Sequence, residues 1–588
     1  MFLLENLTFL ALHVLVIWPI KSASSSFRHP SDTPVSTPTK PTEGQPLVNT
    51  TYGIVQGVIL DNGARGFLGV PYAAPPVGPL RWQPPQRPAK WDMYNATHQP
   101  PGCPQICNDP VDTCPLFYLE DCLYLDIYTP LKVNRSSNLP VMIFFHGGNF
   151  RNGGIASILF DGRFLTLLAS TVVVTTNYRL GALGYMTTSC FRGQSCLTGN
   201  YGFMDQLAAM QFVHENIAAF GGDPNKVTLF GQSAGAQAVS LHLTNSKSDR
   251  YFQQAIIESS PFTLPYRHHT SSVLQGDLTA ALLNCLPGDL YCLRKRSAKD
   301  VTAAGSEAGN TIALDLFEPL QLFEPWGPVI DGCVIRTHPL NAFRDGQFQR
   351  KPLLIGTVTE EGRNYIWESF PKKPTHLQVN EYLFLIFGIR KTLEISREYN
   401  FTEFEDLREP MSTVATDFIF ACSTFNGSRY ISLYNESQVF HYIFDHAISF
   451  TSVWGPNYTE CYGHVCHGSE LPLLWRSQSL RGYNFTEEEQ QLADAMNNYW
   501  SNFVHTGNPN DNSWKNKSKI SDFMKTSDPN KNERNIKSKN RDKFLTWPPY
   551  RVDNGWQSIL FQTSGNKLLS NWREKCCQFF EDIGYTPR

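Results

Sequence analysis

Ser233 is the residue whose setting points most directly to chemistry. It lies in Gly231-Gln232-Ser233-Ala234-Gly235, after the apolar run Val227-Thr228-Leu229-Phe230 and before an alanine-rich stretch from Ala236 to Leu243. Strand, tight turn and helix, in that order, make a G-x-S-x-G pentapeptide a nucleophile elbow, with the hydroxyl held at the mouth of a helix. The two glycines permit backbone angles and close approaches that a Cβ would forbid. The pentapeptide alone arises by chance in about one chain in five of this length, so its surroundings have to carry the assignment.

A serine hydroxyl is a poor nucleophile at neutral pH and needs a base, which a third group must orient. In α/β-hydrolases those partners follow in the order Ser, Asp/Glu, His. Glu361 ends Leu354-Ile355-Gly356-Thr357-Val358-Thr359-Glu360-Glu361-Gly362, an apolar strand running into an acidic turn. Such sheets place their sites beyond the carboxyl ends of strands. His467 follows turn residues in Cys466-His467-Gly468-Ser469-Glu470. Glu360 competes with Glu361 for the acidic role. His376, His441, His446, His464 and His505 also follow Glu361, with His464 the nearest rival to His467. Acyl chemistry further needs amide donors aimed at the charge that develops in the transition state. His146-Gly147-Gly148-Asn149-Phe150, after the strand ending at Phe145, is a glycine-rich turn suited to that task, and Ala234 can supply an amide from the elbow.

The elements expected to position these residues are strands alternating with helices. Val141–Phe145 and Thr171–Thr175 are continuous β-rich apolar runs, as in strands buried on both faces. Gly53–Leu60 also reads as a strand, while Gly202–Phe220 and Glu487–Thr506 read as helices. This alternation predicts one large α/β domain with a mostly parallel central sheet flanked by helices. The chain has 588 residues, of which 41% are apolar and 18% charged, with a formal net charge of −3. Nothing in that balance favours a polyanion, so no nucleic-acid partner is expected.

Phe9–Ile20 is almost wholly apolar and is followed by small residues, the pattern of a signal peptide over residues 1–23. The run falls short of the ~20 residues a membrane span needs, so no span is expected once the signal is removed. Residues 24–48 read as a Ser/Thr/Pro-rich arm, residues 49–588 as the catalytic domain, and 515–543 as a charged surface insertion within it. The 14 cysteines suit a secreted or secretory-lumen protein. Proximity alone pairs Cys107 with Cys114, Cys190 with Cys196 and Cys461 with Cys466. Cys461, His464, Cys466 and His467 could also be read as zinc ligands, but in an exported chain the two cysteines are expected to be oxidised and no metal is expected. N-glycosylation sequons stand at Asn49, Asn95, Asn134, Asn400, Asn426, Asn435, Asn457, Asn484 and Asn516.

Several longer stretches resemble the type-B carboxylesterase/cholinesterase family. They are Phe67-Leu68-Gly69-Val70-Pro71-Tyr72-Ala73, Glu120-Asp121-Cys122-Leu123-Tyr124-Leu125, Asn177-Tyr178-Arg179-Leu180-Gly181, Gly199–Gln206, Glu215–Pro224 and Pro328–Gly332. The resemblance covers the chain from about residue 50 onward. It implies an α/β-hydrolase fold and a cofactor-free serine esterase acting on a small-molecule carboxylic ester. By that resemblance Ser233 is the nucleophile, Glu361 the orienting acid and His467 the base, with Gly148, Asn149 and Ala234 as oxyanion donors. It also implies disulfides Cys103–Cys122, Cys285–Cys292 and Cys422–Cys577, leaving Cys333 and Cys576 unassigned. Arg81 with Glu120 and Arg179 with Asp205 resemble the family's buried ion pairs.

Three departures stand out. Asn149 occupies a position usually held by glycine, so its side chain is expected to crowd the acyl group. Gln232 replaces the usual glutamate beside the nucleophile. No tryptophan lies between Trp91 and Trp326, and Asp112 stands where cholinesterases carry a choline-binding indole, which argues against a true acetylcholinesterase. A non-enzymatic adhesion or storage protein is the alternative.

Overall fold

The computed structural model describes residues 44–107, 109–110, 113–190, 196–311, 319–434, 438–516 and 544–583. The expected signal peptide, most of the arm, nearly all of the charged insertion, Asp112 and the Asn435 sequon lie outside the described residues.

The chain enters through β1 (Leu47–Thr50) and β2 (Gly53–Gln56), an antiparallel hairpin, and passes on to β3 (Val58–Ile59) and β4 (Arg65–Pro71). Regular structure thus starts two residues before the boundary expected at 49, because Leu47 and Val48 pair with Gln56 and Val55. The strand expected over Gly53–Leu60 is broken at Gly57. There the backbone leaves the hairpin for the main sheet, passing so close to its neighbour that a Cβ would lie 2.6 Å from the Gly66 carbonyl oxygen. β5 (Met93–Asn95) joins β2 to complete a small three-stranded sheet.

The main sheet takes in β6 (Tyr124–Thr129), β7 (Leu139–Phe145), β8 (Val172–Thr176), β9 (Gly222–Gln232) and β10 (Gln254–Glu258). Two short strands, β11 (Arg267–His268) and β12 (Val329–Ile330), pair apart from it. β13 (Leu353–Val358), β14 (Val439–Phe444), β15 (Ser558–Phe561) and β16 (Lys567–Leu569) extend it to eleven strands, in the order β16-β15-β14-β13-β10-β9-β7-β8-β6-β4-β3. Pairing is parallel from β8 through β15 and antiparallel at both margins. Every residue of β7, β8, β13 and β14 is buried, as strands covered by helices on both faces must be. This is the α/β-hydrolase architecture expected from the sequence.

The helices follow local rules. Glu487–Thr506 begins with a capping box, in which the Glu489 N–H donates to Thr486 Oγ1 at 3.2 Å and the Thr486 N–H donates to Glu489 Oε2 at 2.9 Å; it ends at Gly507 in the left-handed region. Tyr201–Asn216 continues into a 3₁₀ turn over Ile217–Phe220. Arg179 donates to both oxygens of Asp205 at 2.7 Å in a pair almost wholly removed from solvent, and Arg81 pairs with Glu120. All six expected disulfides are present: Cys103–Cys122, Cys107–Cys114, Cys190–Cys196, Cys285–Cys292, Cys422–Cys577 and Cys461–Cys466. Cys333 and Cys576 are unpaired. Among the described residues no helix is long and apolar enough to cross a membrane.

Candidate active site

Strand β9 ends at Gln232, and the chain turns through Ser233 into the helix Ala234–Thr244. Ser233 has φ 59° and ψ −126°, a conformation that costs an L-residue energy and persists only when its surroundings impose it. Two constraints impose it. The Ser233 N–H donates to the Glu258 carbonyl at 2.9 Å, tying the turn to β10. On the helix side, a Cβ at Gly235 would lie 1.9 Å from the Phe145 carbonyl oxygen, so only glycine lets the helix start this close to β7.

The acid and the base converge behind this turn. Glu361 Oε1 accepts from Thr357 Oγ1 at 2.7 Å and from the Val358 N–H at 2.9 Å. Its Oε2 lies 2.5 Å from His467 Nδ1. Both side chains are buried, Glu361 completely. The rivals pair with each other: His464 Nδ1 lies 2.9 Å from Glu360 Oε1, in a pair about one-third exposed. The cysteines of the zinc alternative are bonded to each other.

His467 and the elbow line one cavity of about 1250 Å³, together with Gly148 and Asn149. Asn149 has φ 51°, which asparagine tolerates better than most residues. Among the described residues the amides of Gly148, Asn149 and Ala234 donate to no protein acceptor, leaving them free for an anionic oxygen. Beside Asn149 a second hollow of about 20 Å³ is lined by Leu264, Phe323, Tyr365, Ile419 and Phe420, room for little more than one water.

His467 Nε2 lies 2.9 Å from Gln232 Nε2, and among the described residues His467 makes no hydrogen bond to Ser233. Tyr365 lines the same cavity as Ser233. The rings of Tyr365 and Phe420 lie 5.5 and 5.0 Å from the imidazole. Sequence reasoning missed both aromatics. A signal existed for Tyr365, four residues beyond Glu361 in the helical segment that follows it, but Phe420 is distant in sequence.

Two further carboxyls lie beneath the site. Burial pushes Glu258 up to about 8 despite a bond from Trp500 Nε1 at 2.9 Å. It pushes Glu470 well above the ordinary range, with Glu361 and Glu258 adding to the effect. Burial thus biases both toward the neutral form and lessens the charge they place behind the imidazole. In the cavity Asp109 is raised to about 6 by burial, then by Glu368, against the pull of Arg151 and Asn152.

Of the sequon asparagines, Asn49, Asn95, Asn134, Asn400, Asn457 and Asn484 are exposed. Asn426 is not: it is 5% exposed inside the helix Cys422–Tyr434. That packing excludes a glycan there, because a sequon does not record which face of a helix it occupies. Asn516 ends a short turn, and nothing in the structure bears on its side chain.

Comparison with known proteins agrees with this architecture. The chain is 34% identical to the crystal protein of Dictyostelium discoideum over 465 residues, covering 78% of this chain and 81% of that protein. It is 32% identical to human cocaine esterase over 504 residues, covering 79% and 84% respectively. A solved thermophilic PNB esterase superposes with a TM-score of 0.73 at 26% identity, covering 91% of this chain and 99% of that one. Residues 44–547 match the carboxylesterase family, and the chain belongs to it.

Proposed function

We propose that this protein is a secreted serine carboxylesterase working through Ser233, His467 and Glu361. The observation that carries the reading is the buried Glu361–His467 pair opening on the same cavity as a strained serine elbow. Ser233 attacks the ester carbonyl and His467 takes the hydroxyl proton, then hands it to the departing alcohol; water afterwards releases the acyl group by the same route. Glu361 holds the ring so that Nδ1 carries a proton and Nε2 is the basic nitrogen. The amides of Gly148, Asn149 and Ala234 receive the negative charge that appears on the carbonyl oxygen. Export is supported by the apolar run Phe9–Ile20, the six disulfides and the exposed sequons.

A second reading, a non-enzymatic storage or adhesion protein, draws on the similarity to the crystal protein and on the absent Ser233–His467 bond. Apo sites often tighten such bonds only when substrate is bound, so the absence does not decide the matter. Labelling with a fluorophosphonate probe does. The esterase reading expects a label on Ser233 and turnover of naphthyl acetate, with both lost in Ser233→Ala by several orders of magnitude. Equal turnover in wild type and variant rejects it.

A further inference from the structure

Gln232 immediately precedes the nucleophile and is 5% exposed. Its Nε2 stands 2.9 Å from His467 Nε2. Glu361 takes the proton on Nδ1, so in the neutral ring Nε2 can only accept. The carboxamide therefore turns its NH₂ toward the imidazole, which also fixes which end of the amide faces the ring. The nitrogen that must take the serine proton is thus already engaged by a neighbour.

We propose that Gln232 is a latch, a positioning residue that keeps His467 from engaging Ser233 until a bound ester displaces the amide from Nε2. The latch rests on the Ser233–His467–Glu361 reading. Its chemistry is simple. While Gln232 donates to Nε2, that lone pair is not available to the serine hydroxyl, and protonating it requires breaking the bond. Releasing the amide is a step that any productive turn of the enzyme has to include. The ring contacts of Tyr365 and Phe420 leave the imidazole little freedom to reach Ser233 by another path.

The test compares wild type with Gln232→Met, which keeps the length of the side chain and removes its donor. Two quantities are read: the second-order rate of Ser233 labelling by a fluorophosphonate, and kcat/KM for naphthyl acetate from pH 5 to 9. The latch expects labelling to rise about fivefold, the factor that one net hydrogen bond is worth. It also expects the acid limb of the pH profile to lie about half to one unit higher, since protonating Nε2 no longer breaks a bond. Gln232→Glu provides the same readout should methionine pack badly: a carboxylate cannot donate to Nε2 and favours the protonated ring, so the limb moves further up. Folded variants with wild-type labelling rates and an unmoved limb overturn the latch and leave the triad standing. A lower rate and a lower Tm, with the limb unmoved, would make Gln232 a structural residue only. Failure to label Ser233 in any of these proteins rejects the triad and the latch together.

Discussion

Glu360 and Glu361 are neighbours in one turn, and each finds a histidine on the loop pinned by Cys461–Cys466. Yet the two pairs differ in almost everything else. Glu361 and His467 are buried, and the glutamate is fixed by a hydroxyl and an amide before it meets the ring. Glu360 and His464 stand about one-third exposed; Glu360 also accepts from the Val465 N–H at 2.7 Å and lies 3.6 Å from Arg363. The inner pair faces the cavity and the outer pair fastens the loop. Consecutive side chains leave a turn in opposite directions, so one step along the chain separates a site from a strut. The lesson is that pairing alone says little, whereas burial and the group the ring's second nitrogen faces say a great deal.

The sharpest way to break this comparison is to remove each imidazole in turn. His467→Ala should lower kcat/KM for a short-chain ester by about 10⁴-fold, while His464→Ala should stay within twofold of wild type. Comparable losses in the two would erase the distinction. A third pair offers a stability test of intermediate size. His446 Nε2 lies 3.0 Å from Glu489 Oε1, which also accepts from the Ser449 N–H at 2.7 Å. Burial alone would raise Glu489, but these bonds and the helix cap hold it down at about 2, against an ordinary 4.5. A carboxyl depressed on folding stabilises the protein fully above about pH 4.5, and that contribution fades as pH falls toward about 2. Glu489→Gln should therefore be less stable at pH 7, and its Tm should change less between pH 4.5 and 2 than that of wild type. Parallel Tm curves would show that the pair carries no pH-dependent stability. The smallest effect is expected at the outer pair, where Glu360→Ala should cost less than about 1 kcal/mol in urea unfolding. A loss of several kcal/mol would make the strut a principal tie of the loop.

Ser233 and Glu361 each follow a recognisable apolar run, while His467 is singled out from its rivals by the family resemblance, in the order that the fold requires. The disulfides formed by near neighbours could be named as well, since short loops leave few alternatives. What could not be read were choices made by packing. The hydrogen bond between Gln232 and His467 spans 235 residues, and its existence depends on which way two side chains turn inside a closed site. Phe420 reaches the imidazole only because the helical segment carrying it packs there. The burial of Asn426 depends on the face of its helix, and the break at Gly57 depends on how close another backbone comes. Each of these is fixed by contacts distant in sequence, on which local pattern is silent.

The Cys422–Cys577 bridge has a consequence of a different kind. It joins cysteines 155 positions apart in the chain, and the ring it closes constrains the unfolded chain by on the order of 5 kcal/mol. Inside that ring lie β14, His467, the helix Glu487–Thr506, β15 and β16. A single cut by a protease anywhere between the two cysteines therefore releases no fragment: the pieces stay tethered until a reductant opens the ring. On a denaturing gel such a nicked chain runs as one species without thiol and as two with it, so the His467 imidazole cannot be shed by one scission.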